Sequence, residues 1–339
     1  MHDRLPELAE LERCIETLGT HATHESLGEI GIGRHSTPRL KLHALTLGNP
    51  DPAMPGFAVI GGVHGLERIG TQVVIAFLQS LAARLRWDVL LHQQLESLRL
   101  VVIPMLNPGG FWRRTRANPQ GVDLMRNAPI EAEQPVPRLL GGQRLSASLP
   151  WFRGAADAPM QPEAQALCDL ITRELLPRPF SLAIDCHSGF GTRDQLWFPY
   201  AHTTTPIAHL AEIHALAELL DDGHLYHRYT VEPQSRHYLT HGDLWDFLYQ
   251  RALTHSPAVF LPLTLEMGSW LWVKKNPLQL FSRHGMFNPQ VPHRWQRVLR
   301  RHMNCLDFLA RACVSHAHWL PTGSEREPHT ARALARWYA

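Results

Sequence analysis

Short apolar runs alternate with amphipathic stretches along most of this chain. The runs GFAVIGG, LRLVVIPML, FSLAIDCH and AVFLPLTLEM are almost continuously apolar, a pattern typical of strands that are covered on both faces. Between them, the stretches over residues 67–85, 161–175 and 292–314 carry apolar residues at helical spacing. Because strands and helices alternate, we predict an α/β fold with a largely parallel sheet and helices on both faces.

Weaker patterns complete the predicted order of elements. A helix is expected over residues 4–19, and the runs ESLGEIGIG and RLKLHALTLG are expected to be strands joined by a turn near residues 35–38. Further along, TPIAHLAEIHALAELL and GDLWDFLYQRA predict helices, and HLYHRYTVE predicts a strand. Residues 107–160 are expected to form a long irregular region, and a region of this length inside a compact domain is usually either functional or disordered. We expect one domain over residues 1–315 and a loose, polar tail over residues 316–339.

Charge, apolar runs and cysteine content limit the possible partners of the protein and its possible location. The 339 residues carry a formal net charge of +2 without a basic cluster, so no nucleic-acid partner is expected. No apolar run reaches the roughly 18 residues of a membrane span, and the N-terminus has no apolar signal-peptide core. The five cysteines form no CxxC pair, which favours free thiols in a reducing compartment. We therefore expect a soluble, cytoplasmic protein without a membrane partner, and leave its oligomeric state open.

Histidine and glutamate residues follow three of the predicted buried strands. His64 and Glu67 come after FAVIGG, His187 comes after LAIDC, and Glu266 comes after FLPLTL. Ligands of open α/β sheets bind outside the carboxyl ends of the strands. Two histidines and one glutamate form a catalytic zinc shell that leaves the fourth position for water, and a second glutamate nearby can act as general base. Each residue alone could be a buried polar side chain satisfied by the backbone, but the combination favours one zinc ion per chain.

Several segments resemble, in order, the motifs of the zinc carboxypeptidases. GGVHGLE, IDCHSG and LTLEMG resemble the segments that carry the metal ligands and the base, and NPGGFWRRTR and GVDLMRN resemble those that bind substrate. The likeness runs from about Leu40 to Gly268. It implies a single-domain α/β/α sandwich with a mixed, mostly parallel, twisted sheet. It also implies a metallopeptidase with zinc on His64, Glu67 and His187, and Glu266 as general base.

The resemblance also implies roles for residues that bind the substrate. Arg113, the arginine after the tryptophan, matches the residue that stabilises the oxyanion, while Arg114 and Arg116 stand nearby as alternatives. Arg126 in GVDLMRN matches the arginine that binds the carboxylate of the substrate.

Two further residues are implied to support the site. Asp123 matches the residue that accepts a hydrogen bond from the first ligand histidine, His64, and so sets its tautomer. Tyr238, in SRHYLTHGDLWDFLY, matches a tyrosine that covers the substrate and donates a hydrogen bond to it.

One departure from the family pattern leaves the substrate open. Met125 stands where the family has an asparagine that helps to hold the terminal carboxylate, and a thioether is at best a weak acceptor. Carboxypeptidase activity on peptides with a free carboxylate is the first hypothesis. The alternatives are an N-acyl amino acid deacylase of the same superfamily and an inactive metal-binding relative.

Overall fold

A computed structural model describes residues 5–32, 38–223, 227–254, 258–282 and 284–339 of the chain. Most of the turn predicted near residues 35–38 lies outside this part. The strands of the described residues form one eight-stranded sheet. These strands are β1 (Ala22–Gly31), β2 (Arg39–Gly48), β3 (Gly56–Gly61), β4 (Arg99–Ile103), β5 (Phe180–Phe190), β6 (Gln195–Phe198), β7 (Thr230–Pro233) and β8 (Val259–Gly268).

The sheet is parallel at its centre, antiparallel towards the β1 edge, and ends at the other edge in the parallel pair of β6 and β7. The strand order is β1-β2-β4-β3-β5-β8-β6-β7. Strands β4, β3, β5 and β8 run parallel to their neighbours within this central group, whereas β1 with β2, β2 with β4 and β6 with β8 pair antiparallel. The predicted mixed and mostly parallel sheet is confirmed.

Helices cover both faces of this sheet. Helices α2 and α9 pack against each other and on β3 and β5, while α5 packs on α7, and α7 packs on β8. The helices of the described residues are α1 (Pro6–Leu18), α2 (Arg68–Arg84), α3 (Val89–Glu96), α4 (Pro108–Arg113), α5 (Pro162–Glu174), α6 (Leu210–Gly223), α7 (Leu244–Ala252), α8 (Trp270–Lys275), α9 (Pro292–Val314) and α10 (Arg326–Trp337). The helices predicted over residues 67–85, 161–175 and 292–314 are present as α2, α5 and α9.

Burial along the strands explains why the central ones were recognisable from their sequence. Every residue of β3 is buried, and so are the first nine residues of β5, which is why both read as continuous apolar runs. The edge strand β1 has only one buried residue among its ten. Because β3, β5 and β8 are parallel neighbours, their carboxyl ends open onto the same edge of the sheet.

The elements that the apolar pattern did not predict are mainly short. Strand β6 has four residues, and helices α4 and α8 have six each, so none is long enough to show a period. The region 107–160 contains α4 and a 3₁₀ turn at Leu124–Arg126. Its remainder is held by side chains, such as the buried Arg153, which donates to both carboxylate oxygens of Glu131 at 2.7 and 2.9 Å.

The C-terminal segment differs from the expectation of a loose tail. Residues 316–339 contain α10, which packs along α6. Trp337 is buried, its indole nitrogen donates to the Val231 carbonyl at 2.7 Å, and its ring packs edge-on against Phe198. The segment reads as polar because α10 buries only a narrow stripe, at Ala333 and Trp337.

None of the helices in the described parts of the chain is long and apolar enough to cross a bilayer.

Candidate active site

The segment between β3 and α2 brings His64 and Glu67 to the open edge of the sheet. Gly65 makes this turn possible, because a Cβ atom there would lie 2.1 Å from the backbone of Gly110, and only glycine tolerates such an approach. Glu67 is the residue just before the first turn of α2. Both side chains are almost fully buried.

His64, Glu67 and His187 converge on one point. The Nδ1 atom of His64 lies 2.8 Å from Oε1 of Glu67, and the Nδ1 atom of His187 lies 3.0 Å from Oε2 of the same carboxylate. The two Nδ1 atoms are 3.2 Å apart. One ligand atom from each residue therefore lies within reach of a common metal ion. The structure thus brings together the three residues predicted as zinc ligands.

A carboxylate lies behind each histidine ring. The Nε2 atom of His64 lies 3.0 Å from Oδ1 of Asp123, and the Nε2 atom of His187 lies 2.8 Å from Oδ2 of Asp185. When Nε2–H points at a carboxylate, the neutral ring keeps its Nδ1 lone pair free for a metal. The hydrogen bond to Asp123 therefore orients the His64 ring as a zinc ligand is oriented, and Asp185 places a negative charge beside the His187 ring. The donor set fits zinc.

Asp185 was not among the predicted site residues. It is fully buried, and the indole of Trp245 donates to its Oδ2 atom at 3.0 Å. The signal for it was present in the sequence, because in a strand the residues i and i+2 face the same side. Asp185 therefore shares a face of β5 with His187.

Glu266 faces His187 across two neighbouring strands. The two residues are paired in the parallel register of β5 and β8. The Oε1 atom of Glu266 accepts a hydrogen bond from the Phe190 amide at 3.0 Å. The predicted base is thus buried beside the predicted ligands, on the adjacent strand.

The ionisable groups at this edge of the sheet shift one another's pKa values. Burial, and next the negative charge of Glu67, raise the pKa of Glu266 to about 8. Burial alone would also raise the pKa of Glu67, but His64 and His187 hold it below its ordinary value. For His187, burial is outweighed by Asp185 and Glu67, which raise its pKa well above normal. A divalent cation among these groups supplies positive charge that favours the ionised form of both carboxylates.

Arg113 lies outside this cluster, contrary to the position that was expected for it. Its guanidinium donates to the carbonyl oxygens of Pro119 at 2.7 Å and Ile32 at 3.1 Å. Helix α4 ends at this residue, and Arg114 adopts the left-handed conformation with φ of 56°. The chain reverses there, so that a later arginine points inward.

Arg116 is the arginine that reaches the cluster. Its Nε atom donates to Oδ2 of Asp123 at 2.8 Å, and its Nη1 atom donates to Oε1 of Glu67 at 3.1 Å. Burial alone would lower its pKa, but Asp123 and Glu67 raise it, so the side chain stays charged. The sequence showed Arg116 only as one of three closely spaced arginines.

Arg126 and Tyr238 lie together beside the cluster. Arg126 is buried in the 3₁₀ turn, and its Nη1 atom donates to the Met125 carbonyl at 3.1 Å. The Tyr238 phenol is close enough to Arg126, Glu266 and Arg116 for their charges to act on its pKa, which burial raises. The structure therefore brings both predicted substrate-binding residues to the site.

The loop after Tyr238 sits directly on the Arg126 backbone. Gly242 has φ of +73°, and a Cβ atom there would lie 2.0 Å from the Arg126 carbonyl oxygen, so only glycine permits this packing. Met125 belongs to the hydrophobic core instead and is 4 % exposed.

Replacing Asp123 with asparagine tests the support behind His64. Removing such a partner typically costs about 10–100-fold in metal affinity, so we expect Asp123→Asn to lose zinc sooner than the native chain during dialysis against a chelator. The exposed Asp169, changed to asparagine, is the matched control. Equal zinc retention by the two variants would contradict this role for Asp123.

Comparison with known proteins identifies the family to which this arrangement belongs. The zinc carboxypeptidase family model (Peptidase_M14) matches residues 21–271. Among curated proteins, carboxypeptidase SOL1 of Arabidopsis thaliana is 36% identical over 77 residues, which cover 23% of this chain and 16% of that protein. Carboxypeptidase E of Caenorhabditis elegans is 28% identical over 179 residues, covering 48% of this chain and 37% of that protein. The matches therefore span less than half of either curated relative.

A solved structure with the same fold is that of thrombin activatable fibrinolysis inhibitor. It superposes with a TM-score of 0.65 over 90% of this chain and 72% of that chain, at 17% sequence identity, a level that shows likeness of fold. The family match covers most of the chain and includes His64, Glu67, His187 and the strand of Glu266. The chain therefore belongs to the zinc carboxypeptidase family.

Proposed function

We propose that this protein is a metallocarboxypeptidase, which hydrolyses the amide bond next to a free C-terminal carboxylate. The observation that carries the proposal is the position of Glu266, buried opposite His187 on the adjacent strand and beside a His–Glu–His group. A metal site alone would serve binding equally well. A buried carboxylate next to such a site has the geometry required of a general base.

His64, Glu67 and His187 would hold a zinc ion, which would lower the pKa of water and polarise a carbonyl group. Glu266 accepts the proton of the attacking water and transfers it to the departing nitrogen. The Phe190 amide, which donates to Oε1 of Glu266, keeps the carboxylate pointed at the site. A single carboxylate can serve both steps when it lies close to the water and to the leaving group.

Arg116 is the residue that we assign to the developing oxyanion. Its guanidinium is positioned by Asp123 and Glu67, and its Nη2 atom is not used in either bond. A fixed, charged donor at such a position stabilises negative charge as it develops in the transition state. Arg113, which the family resemblance implied for this role, is committed to two backbone carbonyls on another side of the segment.

Arg126 and Tyr238 are assigned to the substrate. An arginine can bind a carboxylate with two parallel hydrogen bonds, and Arg126 is buried beside the His–Glu–His group. Tyr238 lies against it and can donate its hydroxyl proton to the substrate. Met125 gives this anchor no second polar side chain.

An N-acyl amino acid deacylase is the second candidate. The observation that favours it is Met125, because an anchor with one polar partner fewer suits a substrate other than a plain peptide C-terminus. An inactive relative is disfavoured, since Glu266 is present and buried beside the ligands.

The cytoplasm is the location that we propose for this activity. Its support is the state of the cysteines, since Cys14, Cys168, Cys186, Cys305 and Cys313 are all buried free thiols. Buried unpaired thiols are typical of proteins from reducing compartments.

Replacing Glu266 with glutamine separates catalysis from metal binding. We expect Glu266→Gln to keep its zinc while kcat for peptide hydrolysis falls about 10²–10⁴-fold, the contribution usual for a positioned general base. Zinc content by atomic emission and steady-state kinetics are the two measurements. Glu16→Gln, at an exposed position of α1, is the control. Undiminished kcat in Glu266→Gln would remove this residue as the base.

A paired substitution distinguishes the two arginines. Arg116→Met is expected to lower kcat by about 10²–10³-fold, as loss of one oxyanion donor does, whereas Arg113→Met should leave kcat nearly unchanged. Zinc content is measured in parallel, because Arg116 also contacts Glu67. The opposite ranking of the two variants would restore Arg113 to the role.

A substrate panel decides between the two candidate functions. Peptides with a free C-terminus, the same peptides amidated at the C-terminus, and N-acyl amino acids are compared by kcat/KM. We expect free peptides to be preferred, and Arg126→Met to abolish most of that preference, because the carboxylate anchor is lost. Faster cleavage of N-acyl amino acids would favour the deacylase, and equal cleavage of amidated peptides would exclude the anchor.

A further inference from the structure

A second group of side chains of metal-ligating types lies on α6 and α10, two helices that carry no active-site residue. His214 and Glu218 are four residues apart on α6 and therefore share one face of that helix. His329 reaches them from α10, the C-terminal helix that packs along α6. One ligand atom from each of the three residues lies within reach of a common ion.

The distances in this group match those around a tetrahedral ion. The Nδ1 atoms of His214 and His329 are 3.0 Å apart, and Oε2 of Glu218 lies 3.6 Å from each of them. Zinc at about 2.0–2.1 Å from each ligand atom places neighbouring ligands about 3.3–3.4 Å apart. The separations of 3.6 Å are too long for good hydrogen bonds, so the carboxylate faces both rings without bonding to either.

The surroundings of His214 favour the neutral state that binds metal. His214 is 4 % exposed and stacks edge-on against Trp337. Burial lowers the pKa of His214, with Glu218 acting against this shift, and a neutral imidazole is the form that coordinates a metal. His329 and Glu218 are only partly buried, which leaves a path for an ion to enter.

One cation already borders the group and has to be accounted for. The Nη2 atom of Arg332 lies 3.3 Å from Nδ1 of His329 and 3.5 Å from Oε2 of Glu218. Its side chain is 51% exposed, so it can turn into solvent. The other nearby arginines are engaged elsewhere, Arg326 with Glu212 and Arg336 with Asp221.

We propose that His214, Glu218 and His329 form a second binding site for a divalent transition-metal ion, with zinc as the first choice. Two imidazoles and one carboxylate are ligands that suit such ions. Because the ligands come from two helices, the bound ion cross-links α10 to α6. The alternative is a metal-free cluster in which Arg332 supplies the positive charge.

This cross-link acts on a segment that covers one edge of the sheet. Helix α10 places Trp337 against Phe198 of β6 and on the Val231 carbonyl of β7. Binding to the folded state alone stabilises a protein in proportion to the logarithm of the ligand concentration. Zinc should therefore raise the melting temperature of the chain even when the active-site ligands have been removed.

Zinc stoichiometry of the full chain is the direct test. After stripping with a chelator and dialysis against zinc, we expect two ions per native chain and one per chain of the variant carrying both His64→Ala and His187→Ala. Adding His329→Ala to that variant should remove the remaining ion and its effect on the melting temperature. His318→Ala, at an exposed position just after α9, should change neither quantity.

Two further variants keep the result decisive. Glu218→Gln should weaken zinc binding in the same background at least about tenfold, and it serves if His329→Ala lowers stability in the presence of chelator. Arg332→Ala should strengthen binding, because it removes a competing cation. The proposal is overturned if the active-site double variant binds no zinc, or if its zinc survives both His329→Ala and Glu218→Gln. Neither outcome depends on peptide hydrolysis, so the assignment of the active site is tested separately.

Discussion

The arrangement of this site depends on two buried carboxylates, each of which lies at the Nε2 atom of one histidine ring. Asp123 and Asp185 face the Nε2 atoms of His64 and His187, and this leaves both Nδ1 atoms directed at Glu67. If either ring turned over, its proton rather than its lone pair would face the metal position. The orientation is secured at a distance, since Trp245 donates to Asp185 and Arg116 donates to Asp123. Residues from four separate segments therefore fix the direction of the two Nδ1 lone pairs.

The same contacts link metal binding to substrate chemistry. Arg116 donates to both Asp123 and Glu67, so the residue assigned to the oxyanion is positioned by the ligand shell itself. Glu266 is placed by the register of β5 and β8, and Tyr238 by a loop whose glycine packs on the Arg126 carbonyl. Because these positions are set by backbone pairing and close packing, the site is organised before any substrate arrives. Such prior organisation is what makes electrostatic stabilisation effective in catalysis.

Several parts of the structure were predictable from local patterns, and others were not. The apolar runs of β3, β4, β5 and β8 identified the buried strands, because a strand covered on both faces has no polar positions to interrupt it. Short elements such as β6 were not predicted, because four residues are too few to show a period. Helix α10 read as a loose tail, because its buried stripe consists mainly of Ala333 and Trp337. Its helical state is stabilised by packing on α6, which the sequence of either helix does not reveal.

By itself, the sequence determined the types of side chain at the strand ends, and hence His64, Glu67, His187 and Glu266 as a set with zinc chemistry. It could do so because parallel strands bring their carboxyl ends to one edge. Only the tertiary structure decided which of three neighbouring arginines reaches that edge. The left-handed turn at Arg114 sends Arg113 to the backbone of Pro119 and Ile32 and directs Arg116 to Glu67. Direction of a side chain beyond a reversal depends on backbone dihedrals and on distant partners, and neither is encoded in residue spacing.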